Sequence, residues 1–283
     1  MVTKKQHYYP RALLQYFADE NKKFYAYNSQ RKTVEYTYYE KVCFQNYTYE
    51  TIKLDGVVDN ILENELSNYE SKIGGVLSYI FNQTKPEQLI LSAEQINIIW
   101  QYMWLQYLRT DSGRITFIDG IDNNFSKPRQ YPMELDEIKL KKEKILRFNS
   151  MFKEPKNLKM LLSRPKPADM YFHISVGNGF LTSDNPVIAM YGKSDKNSGF
   201  QLIMPICPYC VFTFQLGDIN CSENLIVEMI DDKIKYVNEA IINTANYFVI
   251  SNKPFDFTQG SYIYNRFNNK NWVENSRHFE KDN

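Results

Sequence analysis

AEQINIIWQYMWLQYLRTDSGR, residues 93 to 114, is the longest run of this chain that is apolar almost all the way round. On a helical wheel Ile96, Ile99, Trp100, Met103 and Tyr107 fill one broad face and Ile98, Leu105 and Leu108 another, so the run reads as a buried helix ending near TDSG. A thin polar line of Gln95, Tyr102, Gln106 and Arg109 separates the two faces. Covered on both sides, that line has to run into the interior or into a cleft. Unpaired, its amides and guanidinium would cost several kcal/mol, roughly, and Arg109 therefore calls for an acidic partner.

The helix before it supplies one. From Val57 to Asn82, apolar residues recur at Val58, Leu62, Leu66, Tyr69, Ile73, Val76 and Ile80. Glu70 lies at the edge of that stripe rather than opposite it, and Arg109 should pair with Glu70 or with Asp184. Gly74 and Gly75, each costing about 1 kcal/mol against alanine in mid-helix, suggest a kink or a close backbone approach. Ser92 is a candidate N-cap for the central helix, after a turn at TKPEQ.

Before these helices, Pro10 can open a short helix carrying Leu13, Leu14 and Phe17, and KKFYAYNSQRKTVEYTYYEKVCF alternates on both sides of NSQRK as a β-hairpin does. Residues 115 to 132 read as loop, rich in Asp, Asn, Gly and Pro. MELDEIKLKKEKILRFNSMF and PKNLKMLLSR read as charged surface helices. After RPKPAD come six short β-like runs, MYFHISV, GFLTSD, PVIAMY, FQLIMPI, YCVFTFQL and YFVISN, with the helix DKIKYVNEAIINTA before the last. The expectation is one compact α+β domain over 1–283. It comprises an N-terminal segment with a hairpin (1–55), a helical part (56–165) and a mostly antiparallel sheet (166–283), the N-terminal segment crossing back to that sheet.

With 34 basic and 33 acidic residues in 283, the net charge is +1 and no global field selects nucleic acid. The aromatic share of 15% serves core packing or base stacking equally well. Four cysteines, Cys43, Cys207, Cys210 and Cys221, are too few for a disulfide framework and lack a second pair for a zinc site. The CPYC spacing of Cys207 and Cys210 lies in an apolar strand-like run, and packing is the expected role. No stretch of about 18 uncharged apolar residues is present, so a cytoplasmic protein without a membrane partner is expected.

Phosphate loops, nucleophile elbows and zinc-helix motifs are missing, and three histidines exclude a histidine-rich metal site. The polar set that remains is QHY at the start, Glu70, Arg109, Arg114 and TSDNP at 182–186. In this set the sequence resembles the bacterial domain-of-unknown-function family 4238, over nearly the whole chain. QHYYPRALLQYF corresponds to a QHYVP-like start, LQYLRTDSGR to a helix end of LRT-x-x-R type and LTSDNPV to an SDNP motif, with weaker agreement at NYESKIGGVL and NEAIINTANYFVIS. Tyr9 stands where valine is usual.

Members of that family resemble genes of phage-defence loci, so the resemblance implies an antiviral setting rather than a mechanism. If the motif residues converge, phosphodiester cleavage suits them best. Arg109 and Arg114 would grip phosphate, His7 would move a proton, and Asp184 or Glu70 would orient it. Tyr8, Arg11, Gln106, Ser183 and Asn185 would line the substrate, with Lys4, Lys5 and Tyr9 beside them. The expectation is a toxin-like, metal-independent nuclease without a cofactor, acting on RNA such as tRNA in preference to DNA. A phage protein as trigger and self-association both stay open.

A metal on Glu70 and Asp184 ranks lower, since neighbouring arginines disfavour a bound cation. The bland readings are a His7 that caps the first helix and an SDNP turn that bonds its own backbone. The rival function is a non-enzymatic sensor of phage protein, or a nucleotide-binding module, with a rigid polar core. A cluster open to a pocket favours the enzyme and a sealed one the scaffold.

Overall fold

The computed structural model describes residues 5–50, 60–83, 89–124, 133–164, 166–191, 200–216 and 225–269. The chain opens with β1 (Lys5–His7), α1 (Arg11–Leu14) extended by a 3-10 turn, and the hairpin β2 (Lys23–Asn28) and β3 (Thr33–Tyr38), followed by β4 (Phe44–Asn46). The helical part holds α2 (Ile61–Phe81), α3 (Ala93–Leu108), α4 (Asp111–Asp122), α5 (Leu135–Leu140), α6 (Lys142–Phe152) and α7 (Pro155–Leu162). Then come β5 (Met170–Val176), β6 (Thr182–Ser183), β7 (Ile188–Tyr191), β8 (Phe200–Cys207), β9 (Cys210–Leu216), β10 (Ile226–Glu228), α8 (Asp231–Thr244), β11 (Phe248–Ser251) and α9 (Tyr262–Asn268). The protein is α+β.

Three sheets form among the described residues: β1 with β4, the five-stranded order β10-β5-β9-β8-β7, and the four-stranded order β3-β2-β11-β6. The last of these joins the N-terminal hairpin to the late strand β11 through Asn28↔Phe248 to Tyr25↔Ser251. Pairing is antiparallel except between β10 and β5, which run parallel. One large core draws Leu13, Leu66, Met103, Phe148 and Phe212 together from the N-terminal, helical and sheet parts.

The central run is two helices, not one. Thr110 leaves the helical region at ψ 158° and its hydroxyl accepts the Gly113 N–H, the side-chain cap that starts α4. A β-carbon on Gly113 would come within 1.8 Å of the Tyr107 carbonyl oxygen, so only glycine allows so tight a corner. α4 continues to Asp122, correcting the loop expected from residue 115, while 125–132 lie outside the described residues. The first charged surface helix is likewise divided at Lys141, into α5 and α6. Ser92 and Gln95 form a full capping box at the start of α3, whereas the TKPEQ turn lies outside the described residues. Gly74 and Gly75 meet nothing within 4 Å, so neither marks a close approach in the continuous α2.

Candidate functional site

Arg109, at the C-terminal end of α3, is 2% exposed, and its guanidinium is held on three sides. Nη1 donates to Glu70 Oε1 at 2.6 Å, Nη2 to the His7 carbonyl at 2.6 Å and Nε to the Tyr49 hydroxyl at 3.0 Å. The Glu70 pairing is the one that the polar line of α3 and the edge position on α2 require. Two helices and the first strand are thus fastened at one cation.

Arg114, one turn into α4, is fully buried, and all of its N–H donors are engaged. Nη1 donates to the Thr48 carbonyl at 2.7 Å and to Asn149 Oδ1 at 3.0 Å, and Nη2 to Thr48 Oγ1 at 2.9 Å and Asp111 Oδ1 at 2.6 Å. Nε reaches the Thr110 carbonyl at 3.4 Å. Between the two arginines lies the Tyr49 ring, 5.4 Å from the Arg109 guanidinium carbon and 5.2 Å from that of Arg114.

The SDNP segment closes a second part of the same network. Asp184 is sealed and accepts from the backbone N–H groups of Asn246, Tyr247 and Phe248 at 3.1, 2.9 and 2.8 Å, while burial pushes its carboxyl up to about 7. The Tyr247 hydroxyl then donates to Asp111 Oδ2 at 2.7 Å, which leads back to Arg114. Asn185 Nδ2 donates to the Thr244 carbonyl at 2.8 Å, and Ser183 Oγ accepts the Asn185 N–H at 3.1 Å. SDNP is therefore a clamp on the residues between α8 and β11, rather than a turn that bonds only itself.

Four of the five expected substrate-binding residues are closed to a substrate. Tyr8, Gln106, Ser183 and Asn185 are all buried, and Gln106 Nε2 donates to the Tyr8 carbonyl at 2.8 Å. Arg11 alone is exposed. Arg114 and Asp184 cannot reach a phosphate or His7, because their polar atoms are held by the chain's own backbone and by Asp111, Thr48 and Asn149.

His7 caps nothing. It lies in β1 opposite Phe44, with the two rings 5.5 Å apart, and α1 starts at Arg11 with Pro10 as its N-cap and no side-chain cap bond. Burial, and next the charge of Arg11, lowers its pKa to about 4, so its imidazole is neutral at pH 7. Its Nε2 has no hydrogen-bond partner among the described residues, nor has Oε2 of Glu63. Glu63 lies two turns before Glu70 on α2. Burial raises its carboxyl to about 7, opposed by Arg109 and assisted by Glu70.

Tyr49, Thr48, Asn149, Asp111 and Tyr247 belong to this cluster without having stood out in the sequence, whereas Glu63, like Glu70, is an acid that interrupts the apolar pattern of α2. Asp111 did carry a signal, as an acid in the first turn after a threonine cap. Tyr49 and Arg109 border a small, partly open pocket of about 10 Å³ lined otherwise by Leu62, Leu66, Leu105 and Phe148 among others, room for about one water molecule and too little for a substrate. No group of three or more His, Cys, Asp or Glu side chains among the described residues is arranged to hold a metal ion. None of the described helices is long and apolar enough to cross a membrane.

The family described as "Protein of unknown function (DUF4238)" matches residues 5–255, which takes in every motif of the network. The chain belongs to that family. Compared with curated proteins and with solved structures, it has no significant match in either. Within that matched range, the QHY, LRT-x-x-R and SDNP segments of this chain interlock through buried hydrogen bonds.

Proposed function

We propose that the chain serves anti-phage defence as a non-enzymatic recognition module whose motif residues form a buried polar brace, acting in the cytoplasm. The observation that carries this reading is Arg114, fully buried with its donors engaged by Thr48, Asn149, Asp111 and Thr110. A phosphate-gripping arginine needs donors turned to the substrate, and this one has none to turn. The defence setting comes from the family resemblance. The test is to express wild type and His7→Ala in bacteria, challenge them with phage, and sequence RNA and DNA ends. Protection that survives in His7→Ala, without new ends, is the expected result. Lost protection at an unchanged melting temperature, with new ends in the wild type, overturns it.

A second reading, a metal-independent toxin-like nuclease, is favoured by a different observation. His7 Nε2 and Glu63 Oε2 lack partners among the described residues, and their pKa values, about 4 and about 7, leave a neutral base and a partly protonated acid at neutral pH. Such a pair suits RNA over DNA, because the ribose 2′-hydroxyl brings its own nucleophile: the imidazole would take its proton and the carboxyl would protonate the leaving oxygen. In that reading Glu63 replaces Asp184, and Arg109 positions Glu70 rather than touching phosphate.

A further inference from the structure

We infer that the outer face of the β2–β3 hairpin is a binding platform for single-stranded nucleic acid. The inference deepens the recognition reading and rests on it for the biological setting. The register Lys23↔Tyr38, Tyr25↔Tyr36 and Tyr27↔Val34 places these side chains on one face, while Phe24 and Ala26 turn into the core. Tyr36 and Tyr38 are 44% and 42% exposed, large values for tyrosines in a sheet. The Tyr25 and Tyr36 rings lie 5.0 Å apart, and β3 is an edge strand, so the face is open on one side.

Ammonium groups are threaded between the rings. Lys23 Nζ is 5.2 Å from the Tyr36 centroid and 4.7 Å from that of Tyr38, and Lys41 Nζ is 5.1 Å from Tyr38. Neither lysine forms an ion pair among the described residues. Glu35 falls on the opposite face, where Arg31 pairs with it at 3.2 Å. Asp19, at the rim, accepts the Tyr36 hydroxyl and so fixes that ring. The aromatic face thus carries two ammonium groups against one carboxylate, Asp19 at its rim, an excess of positive charge that matches a phosphate backbone carrying bases.

Spacing selects single strands. Tyr36 and Tyr38 are two residues apart on one strand, about 6.5–7 Å, twice the roughly 3.4 Å between stacked bases in a duplex strand. Bases of an extended strand can meet both rings, whereas a duplex hides its base faces. At the far end Tyr27 is covered by Phe257 and Phe267, with ring centroids at 4.7 and 4.9 Å, and the platform stops there.

The test is fluorescence anisotropy of the full chain with labelled twelve-residue oligouridine and oligothymidine at several salt concentrations, with a duplex of equal length as competitor. Binding that weakens with salt, resists the duplex and falls about ten-fold or more in Tyr36→Ala/Tyr38→Ala is expected. Lys23→Gln/Lys41→Gln, which removes the two charges and their contacts with the rings but keeps the rings themselves, should also weaken binding and reduce the salt slope, and melting curves check both folds. The RNA and DNA arms tell which strand is preferred. No binding of either oligonucleotide, or binding that neither double variant changes, overturns the inference, as does a protein docking there without nucleic acid. Failure here with protection kept in His7→Ala leaves the recognition reading standing. Loss of protection in His7→Ala with oligonucleotide binding intact removes that reading and keeps the platform.

Discussion

Arg109 and Glu70 are joined at 2.6 Å, yet they are sealed unequally: 1% of the arginine side chain is exposed and 26% of the glutamate's. Removing the glutamate strands a buried cation, while the glutamate itself can turn to water. Glu70→Ala should therefore destabilise by about 3 kcal/mol, the low end for breaking a buried pair, because one partner is partly open to water. In a chain of this size that is a loss of roughly 5 °C in melting temperature. A thermal melt in which Glu70→Ala matches the wild type would show that Arg109 needs no counter-charge.

Gly113→Ala should damage the fold more than any other single methyl addition in the helical part. The new carbon would meet the Tyr107 carbonyl oxygen at 1.8 Å, and a backbone atom can yield only if the corner between α3 and α4 opens. Overpacking of this kind costs about 1–3 kcal/mol and sometimes more. Opening the corner would also pull Arg114 from Thr48. Urea denaturation giving an unchanged midpoint would contradict the corner as described.

Three buried titratable groups act on stability with opposite signs. His7 and His173 are lowered to about 4, chiefly by burial, so between pH 4 and 6.5 the folded chain binds fewer protons than the unfolded one. Their contribution is complete above pH 6.5 and is lost as pH falls towards 4. Glu63, raised to about 7 by burial, contributes below its unfolded value near 4.5 and loses that contribution as pH rises to 7. Acidification from pH 7 to 5 should lower the melting temperature less in His173→Gln and more in Glu63→Gln than in the wild type. Parallel curves for all three proteins would refute the assignment.

Cys207 and Cys210 face each other across the turn between β8 and β9, with sulfurs 3.3 Å apart and both residues buried. The bond from Cys210 lowers the Cys207 thiol to about 7. Enclosure still makes packing their role. Cys207→Ser and Cys210→Ser should each keep phage protection, melting within a few degrees of the wild type. Protection lost at an unchanged melting temperature, in a plaque assay, would point to thiol chemistry instead.

Part of this arrangement is legible in the sequence. The Arg109–Glu70 pair is legible because each residue interrupts an apolar stripe, and two such interruptions on adjacent helices have to answer each other. The hairpin, the long α2 and the late strands follow from periodicity. β1, β4 and β10 are three residues each, too short for an alternation to register. The break at Thr110 was hidden by apolar residues continuing on both sides. Thr48, Tyr49, Asn149 and Tyr247 look ordinary locally, and their role arises only from partners up to 136 residues away. The wider motif set reads as a site for the same reason that makes it conspicuous: charged residues among apolar ones are needed equally by chemistry and by a buried brace.

The sheet that joins β2 to β11 also constrains how the protein is made. Ser29 bonds the carbonyl of Asn246, 217 residues further along, so the inner edge of the hairpin has no mate until nearly the whole chain has left the ribosome. At about 5–20 residues per second that is a wait of roughly ten to forty seconds. Throughout it, Phe24 and Tyr27 are bare apolar strand side chains open to pairing with other nascent chains. Yield in the cell should therefore depend on chaperones that hold the first fifty residues apart, and slower translation lengthens their task.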